Sequence, residues 1–340
     1  MKILITGGAG YIGSHTALAL IEAGHEVVIY DSLIRSEINI ISNLKKISKT
    51  KIFFVEGDIL DTNLLKRTIS SSNIEAVIHF AGLKSVSEST ENPILYYKNN
   101  VAGSISLLES MKDCKVNKLV FSSSATVYGN PEFLPYKESH SKIPINTYGK
   151  TKKIFEDILF DLVETDVLFD WSIAILRYFN PIGAHDSFLI GENSSGISDN
   201  LMPYIIQTAS KERDFLNIYG NDYNTKDGSG ERDYIHIMDL ADGHFMSLDY
   251  INNTKGVIEL NLGSGRPTSV FELIEIFKKT NSVDVPIKIC KRRNGDLASY
   301  YADISKAYNL LKWAPKRSVE EMCLSAWQAY KNKSFGANSP

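Results

Sequence analysis

The stretch from residue 3 to residue 13 constrains the fold more than any other part of the chain. Residues 3 to 5 form a short apolar run, Ile-Leu-Ile, which is typical of a buried strand. Glycines follow at positions 7, 8 and 10, where a tight turn needs a bare backbone, and from Tyr11 the pattern becomes helical. A strand, a glycine turn and a helix in this order direct unpaired N–H groups and a positive dipole end at the turn. The stretch therefore predicts a binding site for a pyrophosphate.

The surrounding sequence supports a dinucleotide site. Glycines at 7, 10 and 13 give a G-x-x-G-x-x-G spacing, and a second apolar run at 27–30 ends in Asp31. An acid about 20 residues after the turn is where a ribose hydroxyl pair is held. A carboxylate there favours NAD over NADP, although Arg35 could blur that preference. The alternative is a glycine turn of another α/β protein, with Asp31 capping a loop.

Composition sets broad limits. The 340 residues suffice for one large or two moderate domains, and a net charge of −3 gives no argument for nucleic acid or a membrane surface. Three isolated cysteines predict reduced thiols and a cytoplasmic location. Residues 1–6 are too short an apolar segment for a signal peptide, and no apolar run reaches transmembrane length. Seven histidines without paired spacing predict no metal site.

The order of elements predicts the fold class. Strands are expected at 3–6, 27–31, 52–55, 76–80, 118–122 and 172–178, with helical patterns between most of them. Such βα repetition indicates an α/β protein with a Rossmann-type, doubly wound parallel sheet that binds ligands at the carboxyl ends of its strands. We expect a NAD-binding domain over 1–180 with a return at 235–262. A smaller C-terminal α/β substrate lobe is expected over 181–234 and 263–340, with long polar loops at 181–200 and 221–232.

Tyr148 and Lys152 lie four residues apart at the start of a predicted helix and so share a face. A phenol is a poor base at neutral pH, but a cation within about 4–6 Å lowers its pKa by roughly one to three units. Lys152 and an oxidised nicotinamide together could bring the pKa of Tyr148 near 7. Ser124 follows a strand and could share the same substrate proton. The alternative is a surface helix with a chance tyrosine and lysine.

These residues together resemble the extended short-chain dehydrogenase/reductase superfamily and, within it, the UDP-galactose 4-epimerases. The stretches that carry the resemblance are 6–15, 79–84, 121–129, 176–180, 200–204, 230–236 and 295–296. The resemblance implies that Tyr148 takes the proton of the sugar 4-hydroxyl, with Ser124 sharing the hydrogen bond, and that Lys152 lowers the pKa of Tyr148 and holds the nicotinamide ribose. It implies hydride transfer from carbon 4 to tightly bound NAD and back to the opposite face of the 4-keto sugar.

The resemblance also assigns binding residues. Those expected around NAD are Gly7, Gly10, Tyr11, Ile12, Gly13, Asp31, Ser36, Asp58, Ile59, Phe80, Ala81, Gly82, Lys84, Asn99, Ser124, Tyr148, Lys152 and Phe179. Those expected around a UDP-hexose are Lys84, Ser124, Tyr148, Asn180, Asn200, Leu201, Asn217, Tyr219, Arg232, Arg293, Asp296 and Tyr300. The two arginines would bind the diphosphate, and the ring of Tyr300 would exclude N-acetylated sugars. A homodimer through helices near 93–113 and 149–165 is implied as well.

Three other functions compete with epimerisation. A nucleotide-sugar 4,6-dehydratase shares the cofactor domain and the tyrosine, but that family carries an Asp-Glu pair where this chain has Ala125 and Thr126. A plain dehydrogenase would release NADH during turnover. A non-catalytic NAD-binding regulator should have lost the tyrosine or the lysine, and this chain has both.

Overall fold

The computed structural model describes residues 1–192, 200–293 and 295–336, with side chains to residue 333. The predicted substrate loop at 181–200 is therefore described only at its two ends. The strands are β1 Lys2–Thr6, β2 Glu26–Asp31, β3 Phe53–Glu56, β4 Ala76–His79, β5 Lys118–Ser122, β6 Ser172–Tyr178, β7 Asn180–Ile182, β8 Leu216–Tyr219, β9 Glu231–His236, β10 Gly256–Leu262, β11 Pro267–Ser269, β12 Ile287–Cys290 and β13 Ser299–Tyr300.

Helices fill most of the connections. The α-helices are α1 Tyr11–Glu22, α2 Asn39–Ser48, α3 Thr62–Ser71, α4 Val86–Glu91, α5 Pro93–Tyr96, α6 Gly103–Asp113, α7 Thr147–Thr165, α8 Leu201–Ala209, α9 Ile237–Asn252, α10 Val270–Asn281, α11 Ser305–Leu311 and α12 Val319–Gly336. A π-helical turn at Tyr97–Ala102 joins α5 to α6, and a 3-10 turn covers Ala125–Val127.

A seven-stranded parallel sheet forms the larger layer, and it confirms the predicted fold class. Its strand order is β10-β6-β5-β4-β1-β2-β3. Strands β2 and β3 are added on one side of β1, and β4, β5 and β6 on the other, so the strand order reverses between β1 and β4. The carboxyl ends of β1 and β4 therefore flank the crevice where open α/β sheets bind ligands. Alternate residues of β1 face opposite sides of the sheet. Ile3 and Ile5 pack in one core layer with Leu18, while Leu4 packs in the other with Phe155.

Residues 237–262 return to this sheet. Helix α9 packs against α1, and β10 pairs in parallel with β6, so that Gly256 lies opposite Ser172. The return thus widens the sheet by one strand on the β6 side. None of the described helices is long and apolar enough to cross a membrane.

The smaller lobe contains a second sheet that the sequence patterns did not predict. Strand β9 pairs with β7, β11 and β13, and β8 pairs separately with β12. A core that includes Leu273, Phe277 and Trp327 lies beneath these strands. The polar loop predicted over 221–232 was wrong at its end, because β9 begins at Glu231. Helix α2 was also missed, although Ile40, Ile41, Leu44 and Ile47 follow a helical spacing and the first three are buried.

Candidate active site

One large cavity, of about 1360 Å³, lies between the carboxyl ends of the parallel strands and the smaller lobe. All the site residues predicted from the sequence line it, including the glycines after β1, the tyrosine and lysine of α7, and the arginines of the smaller lobe. Their individual roles stay predictions, but the fold brings them to a single cleft.

The glycine turn is closely packed. Gly7 has a φ of +71°, and a Cβ on Gly13 would lie 2.3 Å from the Gly7 carbonyl oxygen, so that helix α1 can approach the turn only through glycine. Asp31 serves this turn directly, because the Ala9 N–H donates to Asp31 Oδ2 at 3.0 Å and Ser36 Oγ donates to Asp31 Oδ1 at 2.8 Å. Asp31 therefore does cap local structure, as the alternative proposed, while also lining the cleft.

Two further features shape this side of the cleft. Arg35, which could have favoured NADP, forms an ion pair with Glu88 at 2.5 Å. Ile59 packs against Gly103, where a Cβ would meet Ile59 Cγ2 at 2.4 Å. The start of α6 thereby approaches the loop after β3, and Asn99, in the π-helical turn just before it, lines the same cavity.

Tyr148 is fixed by the start of α7. The Asn146 side chain caps this helix by accepting from the Gly149 N–H at 2.8 Å, and the Tyr148 N–H donates to Ser89 Oγ at 3.1 Å. One turn further along, Lys152 Nζ donates to the Ser122 carbonyl oxygen at 2.8 Å and lies 5.9 Å from the centre of the Tyr148 ring. The lysine thus joins α7 to the end of β5.

Ser124 completes the group. Its hydroxyl accepts from Thr126 Oγ1 at 3.0 Å, and it also hydrogen-bonds to the Tyr148 hydroxyl. Ala125 and Thr126 occupy the 3-10 turn that follows, so the acid pair of a dehydratase is absent from these two described positions.

The protein alone does not lower the pKa of Tyr148 in the way the spacing suggested. Burial raises the pKa of the phenol to about 12, and the hydrogen bond with Ser124 offsets only part of this shift. Burial also lowers the pKa of Lys152 to about 8, against the attraction of Glu156. A neutral tyrosine is therefore the resting form, and ionising it at neutral pH requires additional positive charge in the cleft.

A buried ion pair connects this group to the sheet. Arg177, on β6, donates to Glu156 Oε2 at 2.7 Å and also pairs with Glu259, and neither the Arg177 nor the Glu156 side chain has solvent exposure. Ser123 Oγ donates to Glu156 Oε1 at 2.5 Å. This network was missed, although Glu156 lies one helical turn after Lys152 on the same face, which could have signalled it.

The smaller lobe contributes arginines stacked on tyrosines. Arg232 lies on β9, not in a loop as predicted, and its guanidinium lies 4.8 Å from the ring centre of Tyr300, its partner on β13. Tyr300 in turn donates to Asn180 Oδ1 at 2.7 Å. Arg293 stacks 3.8 Å from the ring centre of Tyr219. Two planar cations facing one cleft suit a diphosphate.

Glu192 is a cleft residue that sequence reasoning missed. Its Oε1 accepts from Asn200 Nδ2 at 2.5 Å and lies 3.7 Å from Lys84 Nζ. Burial raises the pKa of this carboxyl group, although the nearby lysine opposes the shift.

His79 has a structural role at the end of β4. His79 lies between Thr6 Oγ1 and Ser104 Oγ at 2.7 and 2.9 Å, and burial lowers its pKa to about 3. In the part of the chain that the structure describes, no group of three or more His, Cys, Asp or Glu side chains could hold a metal ion.

A Rossmann-type sheet, a glycine turn at its switch point and a Tyr-x-x-x-Lys pair facing the same cleft define an extended short-chain dehydrogenase/reductase. Comparison with known proteins agrees with this class, since a family model described as GDP-mannose 4,6 dehydratase matches residues 4–325.

Individual relatives narrow the class to one family of epimerases. A UDP-glucose 4-epimerase of Yersinia enterocolitica is 50% identical over 340 residues, which cover 99% of this chain and 100% of that protein. A crystal structure of UDP-glucose 4-epimerase from Stenotrophomonas maltophila with bound NAD and formylated UDP-arabinopyranose has a TM-score of 0.96 and 45% identity over 99% of both chains. Another, from Bifidobacterium longum in complex with NAD+ and UDP, has a TM-score of 0.94 and 41% identity over 99% of this chain and 100% of that one. The chain belongs to the UDP-glucose 4-epimerase family.

Proposed function

We propose that this chain interconverts UDP-galactose and UDP-glucose by inverting carbon 4 of the hexose through a transient 4-keto sugar, with tightly bound NAD. The observation that carries the proposal is the meeting of Tyr148, Ser124 and Lys152 with the glycine turn and the stacked arginines in one cleft. The family relationship supports the same reaction.

The residues present fit NAD. The turn at Gly7 to Gly13 leaves no room for a Cβ at Gly13. Gly10 is the N-cap of α1, and the first residues of this helix line the cleft, so its N-terminal end suits a phosphate. Asp31 offers its carboxylate at the end of β2, where a ribose is bound in this fold. When bound there, NAD supplies an acceptor and donor of hydride at carbon 4 of the sugar.

The protein's own groups move the proton. As the phenolate, Tyr148 accepts the proton of the 4-hydroxyl while the carbonyl forms, and it returns that proton when the carbonyl is reduced on the other face. Ser124 shares the hydrogen bond and holds the sugar oxygen against the phenol. Lys152 supplies positive charge that favours the phenolate at the moment of transfer.

The smaller lobe holds the nucleotide. Arg232 and Arg293 bind the diphosphate oxygens, and Asp296, which lies 3.9 Å from Arg232, binds the uridine ribose. The remaining contacts with uracil and sugar come from cleft residues of the smaller lobe and its junction with the sheet: Asn180, Asn200, Leu201, Asn217, Tyr219 and Tyr300. With the uridine diphosphate held, the keto sugar can turn about its linkage to the phosphate to present its second face.

The test uses purified protein and UDP-galactose with no added cofactor. We expect UDP-glucose as product, NAD released from denatured protein, and no NADH accumulating in solution. Tyr148→Phe should lose at least about a thousandfold in kcat while keeping its NAD. The matched control is Tyr308→Phe, on an exposed ring. Near-normal activity of Tyr148→Phe would refute the assignment, and steady release of NADH would indicate a dehydrogenase.

A homodimer and a cytoplasmic location are part of the proposal. Ile94 is 82% exposed, and Leu95, Tyr97 and Ile105 are exposed on the same helical region, which favours burial against a second copy. Sedimentation should give twice the chain mass, and Ile94→Asp should shift it to the monomer. Cell fractionation should place the protein with cytoplasmic markers.

A further inference from the structure

Glu192 occupies an unusual position in the cleft. It comes from the segment between β7 and α8, yet its carboxylate lies 3.7 Å from the ammonium of Lys84, which follows β4 of the large sheet. The same oxygen accepts from the side-chain amide of Asn200, just before α8. The carboxylate of Glu192 thus contacts both Lys84 and Asn200. Lys84 is expected to bind NAD and the nucleotide sugar, and Asn200 is expected to bind the nucleotide sugar.

Its second oxygen argues against a purely structural role. Glu192 Oε2 is buried and has no hydrogen-bond partner among the described residues. A buried acceptor without a partner lowers stability, so a residue kept only for the fold would be expected to satisfy both oxygens. Functional sites are where proteins typically accept such a loss of stability.

The contacts show what the carboxylate does. It can only accept hydrogen bonds, so it fixes which end of the Asn200 amide faces it. Lys84 has a side chain that is 67% exposed and would otherwise sample many rotamers, and the negative charge keeps its ammonium over the cleft.

We propose that Glu192 is a positioning residue that aligns Asn200 and Lys84 for the ligands of the cleft, Asn200 for the nucleotide sugar and Lys84 for both the nucleotide sugar and NAD. This inference rests on the proposed function, since it concerns the same cleft. The charge of Glu192 itself repels phosphate, so its contribution comes through these two partners.

The first test is Glu192→Gln, which keeps the size and removes the charge. We expect KM for UDP-galactose to rise about tenfold with kcat changed by less than about threefold, and the melting temperature to stay equal or increase. Glu275→Gln is the matched control, because that carboxylate is exposed and pairs only with Lys278 and solvent among the contacts described for its side chain. A KM within about twofold of wild type, or a lower melting temperature that accounts for the loss, would overturn the proposal.

The second test is a double-mutant cycle with Asn200→Ala. If Glu192 acts through Asn200, the effect of Glu192→Gln on KM should shrink from about tenfold to about threefold in the Asn200→Ala background, whereas independent effects would multiply. Full multiplication would overturn the proposal. The same four proteins can also be titrated with UDP in a calorimeter, which gives the cycle from dissociation constants and without turnover. If the wild-type chain did not epimerise UDP-galactose, the proposed function would fail, while the calorimetric cycle would still decide the role of Glu192.

Discussion

Lys152→Met is the sharpest test of how the cleft ionises its tyrosine. The Lys152 ammonium lies 5.9 Å from the centre of the Tyr148 ring. With the ring centre taken as the position of the negative charge and an effective dielectric constant of about 20, Coulomb's law gives an attraction of about 3 kcal/mol for the phenolate. This corresponds to about two pKa units. Methionine fills similar space without charge, so the phenolate fraction at pH 7 should fall about a hundredfold, and kcat with it.

The pH dependence separates this effect from simple damage. Burial lowers the pKa of Lys152 to about 8, so the wild-type ammonium is charged below that pH and loses its charge above it. The advantage of wild type over Lys152→Met is therefore largest well below pH 8, and it should shrink as the pH rises through 8 towards 9. Measuring kcat for UDP-galactose from pH 6.5 to 9.5, normalised to the NAD that each preparation retains, gives this ratio directly.

Lys153→Met is the matched control, because the neighbouring lysine pairs with Asp157 at 2.6 Å on the outer side of α7. It should behave as wild type throughout. A Lys152→Met enzyme with kcat within about threefold of wild type at pH 7 would refute the electrostatic reasoning. So would a large loss that stays constant across the pH range, since a constant ratio indicates misplacement and not lost charge.

Two other substitutions test the cleft. Tyr300→Ser removes a ring that stacks on Arg232 and a hydroxyl that donates to Asn180. The variant should turn over UDP-N-acetylglucosamine in a coupled assay. No gain on that substrate would contradict the prediction that the Tyr300 ring excludes N-acetylated sugars. Gly13→Ala places a Cβ 2.3 Å from the Gly7 carbonyl oxygen. Thermal unfolding should show that the free energy of unfolding falls by roughly 1–3 kcal/mol, and the variant should lose its NAD. A variant that is as stable as wild type and retains NAD would contradict the close packing of the turn.

The sequence was sufficient for the large sheet because its signals are local. Apolar runs predicted β1 to β6 within a residue or two, and the Asp61 side chain caps α3 by accepting from the Leu64 N–H at 2.9 Å. Each of these features depends on residues close together in the chain. Buried parallel strands give near-continuous apolar runs that are hard to mistake for loops.

The small sheet had no such signal. Strand β9 reads Glu-Arg-Asp-Tyr-Ile-His, and the charges of its first half have local uses. Arg232 lines the cleft, and Asp233 is buried and accepts hydrogen bonds from the N–H groups of Ser264, Gly265 and Ala302. The pairing partners of β9 come from distant segments, and Arg232 donates to the Leu297 carbonyl oxygen at 3.0 Å across 65 positions of sequence. A strand that carries charged residues at a ligand site and pairs with distant segments does not show the alternating apolar pattern from which strands are predicted.

The same reasoning explains why the spacing alone did not predict that burial within the protein raises the pKa of Tyr148. The i, i+4 relation fixes the direction in which Lys152 acts, but burial depends on elements that the local pattern does not contain. Here the end of β5 and the loop beyond it close over the phenol, and the Arg177–Glu156 pair holds that segment against α7.

A buried pair of this kind is weak evidence for stability, since desolvation offsets most of its attraction, and its value lies in fixing one arrangement. The arrangement it fixes keeps Tyr148 neutral at rest and next to Ser124. The electrostatic change that ionises the phenol must then arrive with the ligands, which couples proton removal to an occupied cleft.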